Sequence, residues 1–149
     1  MEAIVYIDGK LETSPLSPDL KKAFRELNLD WIRQYFKVEK KDVEQTDHPE
    51  HCLAGGGMLF FVRNGAEVQG ACAMYKVNEG RYELAKMAVA RRGRGKGYGD
   101  KLMVMAEAWA KDQNAREILI LSNTVLEPAI ALYRKHGYET IHLGPHPDY

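Results

Sequence analysis

The scarcities in this sequence narrow the field first. It holds two cysteines, Cys52 and Cys72, spaced like neither a zinc pair nor a redox motif, so no disulfide framework is expected and a reducing cytoplasm fits. No run of 18 apolar residues occurs, and the opening MEAIVYIDGK carries acids, so neither a membrane span nor a secretion signal is expected. Net charge is missing as well. The 21 Lys plus Arg cancel 21 Asp plus Glu, leaving no global field to draw the protein onto nucleic acid or anionic membrane. Internal repeats are absent, and low complexity is confined to one glycine and arginine run.

What remains is an ordinary globular composition. With 45% hydrophobic and 28% charged residues in 149, the chain is expected to fold as a single domain spanning 1–149. AIVYID (3–8) reads as a strand, and Ser17, Pro18 and Asp19 supply a cap, a helix-compatible proline and an acid ahead of a helix with Leu20, Phe24 and Leu27 at helical spacing. Leu29 to Phe36 either continues that helix or starts another. Val38 to Gly57 is polar, contains Pro49 and ends in three glycines; it reads as a mobile, partly helical loop. From Met58 three strand-like runs, MLFFV, EVQGACAMYKV and RYELAKMAVA, are divided by turn residues at Asn64–Gly65 and Asn78–Gly80, which predicts an antiparallel meander. Leu102, Met105, Ala106 and Trp109 then share one helical face. EILILS (117–122) reads as a short strand, Leu126, Ala129, Ile130 and Tyr133 as a second helical stripe stopped by Gly137, and a final strand begins near Tyr138. This order predicts an α/β (α+β) fold, a mixed sheet with helices on its faces.

The richest local signal is ARRGRGKGYGDKLM, residues 90–103, between a strand and a helix. Glycines at 93, 95, 97 and 99 permit sharp turns and clear the approach, so that several backbone N–H groups can point at one anion. The following helix adds its own unpaired N–H groups and the positive end of its dipole. Arg91, Arg92, Arg94 and Lys96 raise the local charge. Nucleotide motifs sort the anion further. A P-loop needs Ser or Thr after Gly-Lys, whereas Gly97 follows Lys96; G-x-G-x-x-G fails at Tyr98 and Asp100. R-x-x-G-x-G fits as Arg94, Gly97 and Gly99, with a second frame at Arg92, Gly95 and Gly97.

At these residues the sequence resembles the GNAT superfamily of acyl-CoA-dependent N-acetyltransferases. The resemblance extends to ELAKMAV (83–89), which places Arg94 five positions after Val89, and to SNTVLEPAIALYRKHGYE (122–139), in the right order over roughly half of the chain. It implies a mixed, mostly antiparallel central sheet flanked by helices on both faces. It also implies transfer of an acetyl group from acetyl-CoA to a primary amine by direct attack in a ternary complex, the cofactor being held by Arg94, Gly95, Lys96, Gly97, Tyr98 and Gly99. Acyl transfer needs a base, an oxyanion site and a donor for the departing thiolate. By resemblance Glu83, four residues before Met87, matches the base carboxylate of histone-acetylating relatives; otherwise it is a strand-edge acid paired with Lys86 or another cation. The backbone of Met87, Ala88 and Val89 matches the oxyanion site. Tyr133 matches the family's general acid, or is a core tyrosine on its stripe. Asn123 either binds the pantetheine arm or caps a loop.

Other signals carry less. In DHPEHC (47–52) His48 and His51 stand three apart across Pro49 rather than four, so no metal is expected; the segment helps to form an acceptor pocket or is an ordinary polar loop. RRGRGK holds four charges in six residues, few for an RNA-binding tract. Cys72 reads as a small buried hydrophobe, and Met103 and Met105 as helix core. The acceptor, a small-molecule or peptide amine, is not legible. An acyl-CoA sensor that has lost catalysis is the alternative to an enzyme. Family members generally add a further strand, while this sequence ends at Tyr149, so a shortened sheet or a strand from a partner is expected. An unpaired sheet edge would favour a homodimer.

Overall fold

The computed structural model describes residues 1–35, 40–120 and 127–138. Asn123 and the strand expected after Tyr138 lie outside the described residues. The first strand, β1 (Glu2–Ile7), turns at Asp8 and Gly9, with φ of 49° and 81°, into an antiparallel β2 (Lys10–Pro15) whose Lys10 stands opposite Ile7. Two successive left-handed residues, Asp then Gly, are what a two-residue hairpin requires. The sequence reading does not include β2, because almost all of Lys10–Pro15 is exposed and shows no alternation.

Helix α1 (Pro18–Tyr35) is continuous, so Leu29 onward extends it. Ser17 caps it as expected, its Oγ accepting the Leu20 N–H at 3.3 Å. Helices α2 (Lys40–Asp47) and α3 (Glu50–Ala54) occupy much of what reads as a partly helical loop. Their stability is tertiary rather than local: Thr46 and Cys52 are buried, and Arg25 of α1 pairs with Asp47 at 2.6 Å. The expected meander follows as β3 (Met58–Asn64), β4 (Glu67–Asn78) and β5 (Arg81–Val89), then α4 (Tyr98–Asp112), β6 (Glu117–Ile120) and α5 (Glu127–Lys135).

The strands form one sheet in the order β2-β1-β3-β4-β5-β6. The pairs β1–β3 and β5–β6 are parallel and the other three antiparallel, giving the mixed, mostly antiparallel sheet expected. Period-two alternation sends side chains to two cores. Ala3, Val5, Leu59, Phe61, Ala71 and Ala73 pack with Leu20 and Phe24 of α1 and Cys52 of α3. On the opposite face Phe60, Val62, Cys72, Met74, Tyr82 and Leu84 pack with Leu102, Met103, Met105, Ala106 and Ala110 of α4. Trp109 completes this side, edge-on to Phe60 at 6.1 Å and to Tyr82 at 5.6 Å. Among the described residues no helix is long and apolar enough to cross a membrane.

Adjacent residues of α4 separate core from surface. Met103 is fully buried and Val104 is 57% exposed. Met103→Ala should therefore cost about 2–5 kcal/mol of unfolding free energy and Val104→Ala no more than about 0.5 kcal/mol, as read by urea denaturation.

Candidate active site

The site begins with one irregularity in β5. Across the β4–β5 ladder Ala73 stands opposite Ala85 and Ala71 opposite Ala88, so three steps along β5 match two along β4. The surplus residue is a β-bulge, and Lys86 within it takes φ of 54°, in the left-handed region. An extra residue inverts the alternation beyond it. Tyr82 and Leu84 pack on the α4 side before the bulge, and Met87 and Val89 do so after it. On its other side β5 pairs with β6 from Arg81↔Glu117 to Leu84↔Ile120, and among the described residues the ladder stops there. The backbone of Met87, Ala88 and Val89 thus lies beyond the point to which the β6 ladder is traced, next to a bulge that re-aims its N–H groups.

The chain leaves β5 into a 3-10 turn, Arg91–Gly93, and reaches α4 through Gly97. Gly93 is buried, and a Cβ there would stand 2.9 Å from the Gln69 Oε1 and 3.1 Å from the Tyr98 ring. Gly95 and Gly97 differ from it. Both are left-handed, with φ of 79° and 80°, and a Cβ on either would meet nothing within 4 Å among the described residues. They are required by conformation and open onto space in which an anion can lie. The first helical hydrogen bond of α4 runs from Lys101 N–H to Gly97 carbonyl at 3.1 Å, so the N–H groups of Tyr98, Gly99 and Asp100 have no partner within the helix. The glycine-rich turn thus lies where the sequence reading puts it, between β5 and α4.

Its charges are not all available. Arg91 pairs with Asp30 at 3.2 Å and Arg92 with Glu67 at 2.7 Å. Arg94 instead meets neutral groups of α1, donating to the Gln34 Oε1 at 3.1 Å and lying 5.3 Å over the Trp31 ring. Lys96 is exposed and forms no ion pair among the described residues. Arg94 and Lys96 therefore keep uncompensated charge beside the open glycines. Asp30, Trp31 and Gln34 are absent from the sequence reading, since nothing in a helical pattern says which of its polar faces a distant loop will meet.

Helix α5 closes on the cradle from the α4 side. A Cβ at Gly99 would stand 3.1 Å from Leu132 Cδ2, so this glycine serves close helix packing. Tyr133 packs into the α4-side core beside Cys72, and burial pushes its phenol up to about 12. Asp100, in the first turn of α4, accepts from His136 Nε2 at 2.9 Å and from Lys135 Nζ at 3.0 Å. These two partners neutralise a carboxylate that would otherwise repel a bound phosphate. Glu83 lies on the other face, half-buried, opposite Tyr75 of β4 and beside Leu119 of β6. Because Tyr82 and Leu84 point toward α4, Glu83 points toward the α1 side. Glu83 and Tyr133 can therefore approach one reacting group only through the plane of the sheet, at the end of the β5–β6 ladder.

The His136 and Lys135 hydrogen bonds hold the Asp100 carboxyl below its ordinary value. A depressed carboxylate stabilises the fold fully above its unfolded pKa of about 3.9 and loses that contribution as pH falls through the folded value. Asp100→Asn should lower Tm at neutral pH and flatten the fall of Tm below about pH 4, measured by thermal denaturation across pH.

Comparison with known proteins agrees with this fold. No curated protein matches the sequence. Among solved structures, an acetyltransferase of the GNAT family from Staphylococcus aureus Mu50 superposes with a TM-score of 0.78 at 22% identity, over 89% of this chain and 86% of that one. An acetyltransferase from Streptococcus agalactiae 2603 gives 0.74 at 15% identity, over 89% and 85%. A predicted acetyltransferase from Clostridium acetobutylicum, solved with acetyl-CoA, gives 0.68 at 15% identity, over 86% and 87%. These likenesses establish the fold, and residues 22–138 match the acetyltransferase (GNAT) family as a sequence. A bulged strand running into a left-handed glycine cradle at a helix N-terminus is thus found in a chain that belongs to the GNAT family of acetyltransferases.

Proposed function

We propose that the protein is an N-acetyltransferase that binds acetyl-CoA at Arg94–Gly99 and passes the acetyl group directly to a primary amine of a small molecule or peptide in a ternary complex. The observation that carries this reading is the pair of left-handed glycines, Gly95 and Gly97, open to space at the N-terminus of α4 and one turn beyond the bulged end of β5. Pyrophosphate would take the cradle's N–H groups and the charges of Arg94 and Lys96. The presence of acetyl-CoA in the Clostridium acetobutylicum structure supports that choice of cofactor.

The thioester then lies along the end of β5. The amine nitrogen attacks the carbonyl carbon, and the oxyanion accepts from backbone N–H groups among Met87, Ala88 and Val89. Glu83, from the α1 face, takes the proton that the ammonium intermediate loses, directly or through water. As the C–S bond breaks, the electron pair goes to sulfur, and Tyr133 faces it from the α5 side. A phenol near 12 stays protonated at physiological pH, while a thiol near 8.5 is the stronger acid. Tyr133 therefore stabilises the departing thiolate by donating a hydrogen bond, and the thiolate gains its own proton on release to solvent.

Calorimetric titration with acetyl-CoA tests the cradle. The wild type should bind with a Kd on the order of micromolar, in the usual range for enzyme substrates, whereas Gly97→Glu, which forces a side chain into a left-handed position and a carboxylate into the anion site, should abolish binding. Absence of wild-type binding at millimolar cofactor overturns the proposal. Free-thiol release across a panel of amines tests the chemistry: Tyr133→Phe should lower kcat by about 10- to 100-fold with little change in KM for acetyl-CoA. Cofactor binding without turnover of any amine would leave the sensor reading instead.

A further inference from the structure

We infer that His48, Glu50 and His51 form a binding site for a divalent transition ion of the zinc type, a role that uses none of the residues assigned to acetyl transfer. The sequence spacing argues against this, since His48 and His51 are three residues apart with Pro49 between. The structure removes the objection. Pro49 adopts helical dihedrals, φ −60° and ψ −25°, and His51 N–H bonds to the His48 carbonyl at 3.0 Å, so the two histidines lie one helical turn apart on the same side. Their rings stack with centroids 5.0 Å apart and planes 13° apart. One ligand atom from each of His48, Glu50 and His51 falls within 4.8 Å of the others. His48 Nδ1 is 3.2 Å from Glu50 Oε1, close to the roughly 3.4 Å that separates two ligands of a tetrahedral ion with bonds near 2.1 Å. The atoms as they stand lie within 4.8 Å of one another and the rings are stacked, so binding requires a histidine ring to turn its nitrogen toward the shared ion.

The carboxylate already carries one cation: Lys21 Nζ stands 4.0 Å from Glu50 Oε2, which has no hydrogen-bond partner among the described residues. Oε1, on the His48 side, is the oxygen left to a metal ion, which two neutral imidazoles would hold with it. Two nitrogens and one oxygen suit zinc or its neighbours rather than magnesium or calcium, which take oxygen ligands. Three protein ligands leave a fourth position for water. The ion would staple the turn between α2 and α3, beside the Arg25–Asp47 pair that ties α2 to α1.

The test is calorimetric titration of chelator-treated protein with zinc chloride, with magnesium chloride as the control. One equivalent of zinc should bind with a Kd below about 100 μM, raise Tm, and bind at least tenfold more weakly to a His48→Ala/His51→Ala double variant. Both side chains are exposed, so the variant should fold, as circular dichroism can check. His136→Ala, whose ring is engaged by Asp100 on the opposite side of the sheet, should leave zinc binding unchanged. A weaker wild-type Kd, or binding that the double variant keeps within tenfold, overturns the site. Neither result depends on whether the protein acetylates an amine.

Discussion

The extra residue in β5 is the constraint on which the site depends. Without it, strict alternation would keep Tyr82, Leu84, Ala88 on one face and turn Met87 and Val89 to the other. With Lys86 left-handed, Tyr82, Leu84, Met87 and Val89 all serve the α4-side core. The strand is thus anchored on one face along its whole length while its backbone rotates in the middle. That rotation sits two residues past the last traced β5–β6 pair, Leu84↔Ile120, with the glycine-rich turn a few residues further on. One local defect therefore sets which way the backbone of Met87–Val89 is turned and the direction from which the chain enters the glycine-rich turn.

The cradle is held from both faces of the sheet. On one side α1 supplies Asp30, Trp31 and Gln34 to Arg91 and Arg94. On the other α5 supplies Leu132 against Gly99 and His136 with Lys135 against Asp100. Exposed ion pairs contribute little individually to stability. Their value here is positional, since the same two helices that grip the cradle also border the two faces on which Glu83 and Tyr133 stand. The order of the chain accounts for it: α1 precedes the meander and covers one face, and α4 and α5 follow it and cover the other.

Much of this was legible because the signals were local. Ser17 announced its cap, Asn64–Gly65 and Glu79–Gly80 their turns, and Leu102, Met105 and Ala106 the buried stripe of α4. The glycines of the cradle were readable for the same reason, as left-handed backbone at 95 and 97 selects glycine directly. The hairpin at Asp8–Gly9 carried an equally local signal, yet β2 escaped because its exposed face leaves no hydrophobic pattern. Helix α2 was legible only as part of a partly helical loop, being mostly polar and held by a partner from another helix.

The sequence by itself determined the element order from the meander to α5, the helices on both faces and the glycine-rich turn between β5 and α4, because period, turn chemistry and glycine conformation are properties of neighbouring residues. Tertiary structure alone decided which cations stay uncompensated, where β5 bulges, and that Glu83 and Tyr133 stand on opposite faces of the sheet. Lysine at position 86 has no preference for a left-handed backbone, and Arg91 and Arg94 are chemically alike. What separates such residues is the partner that packing delivers from far along the chain, an acid at position 30 for one and a tryptophan at 31 for the other.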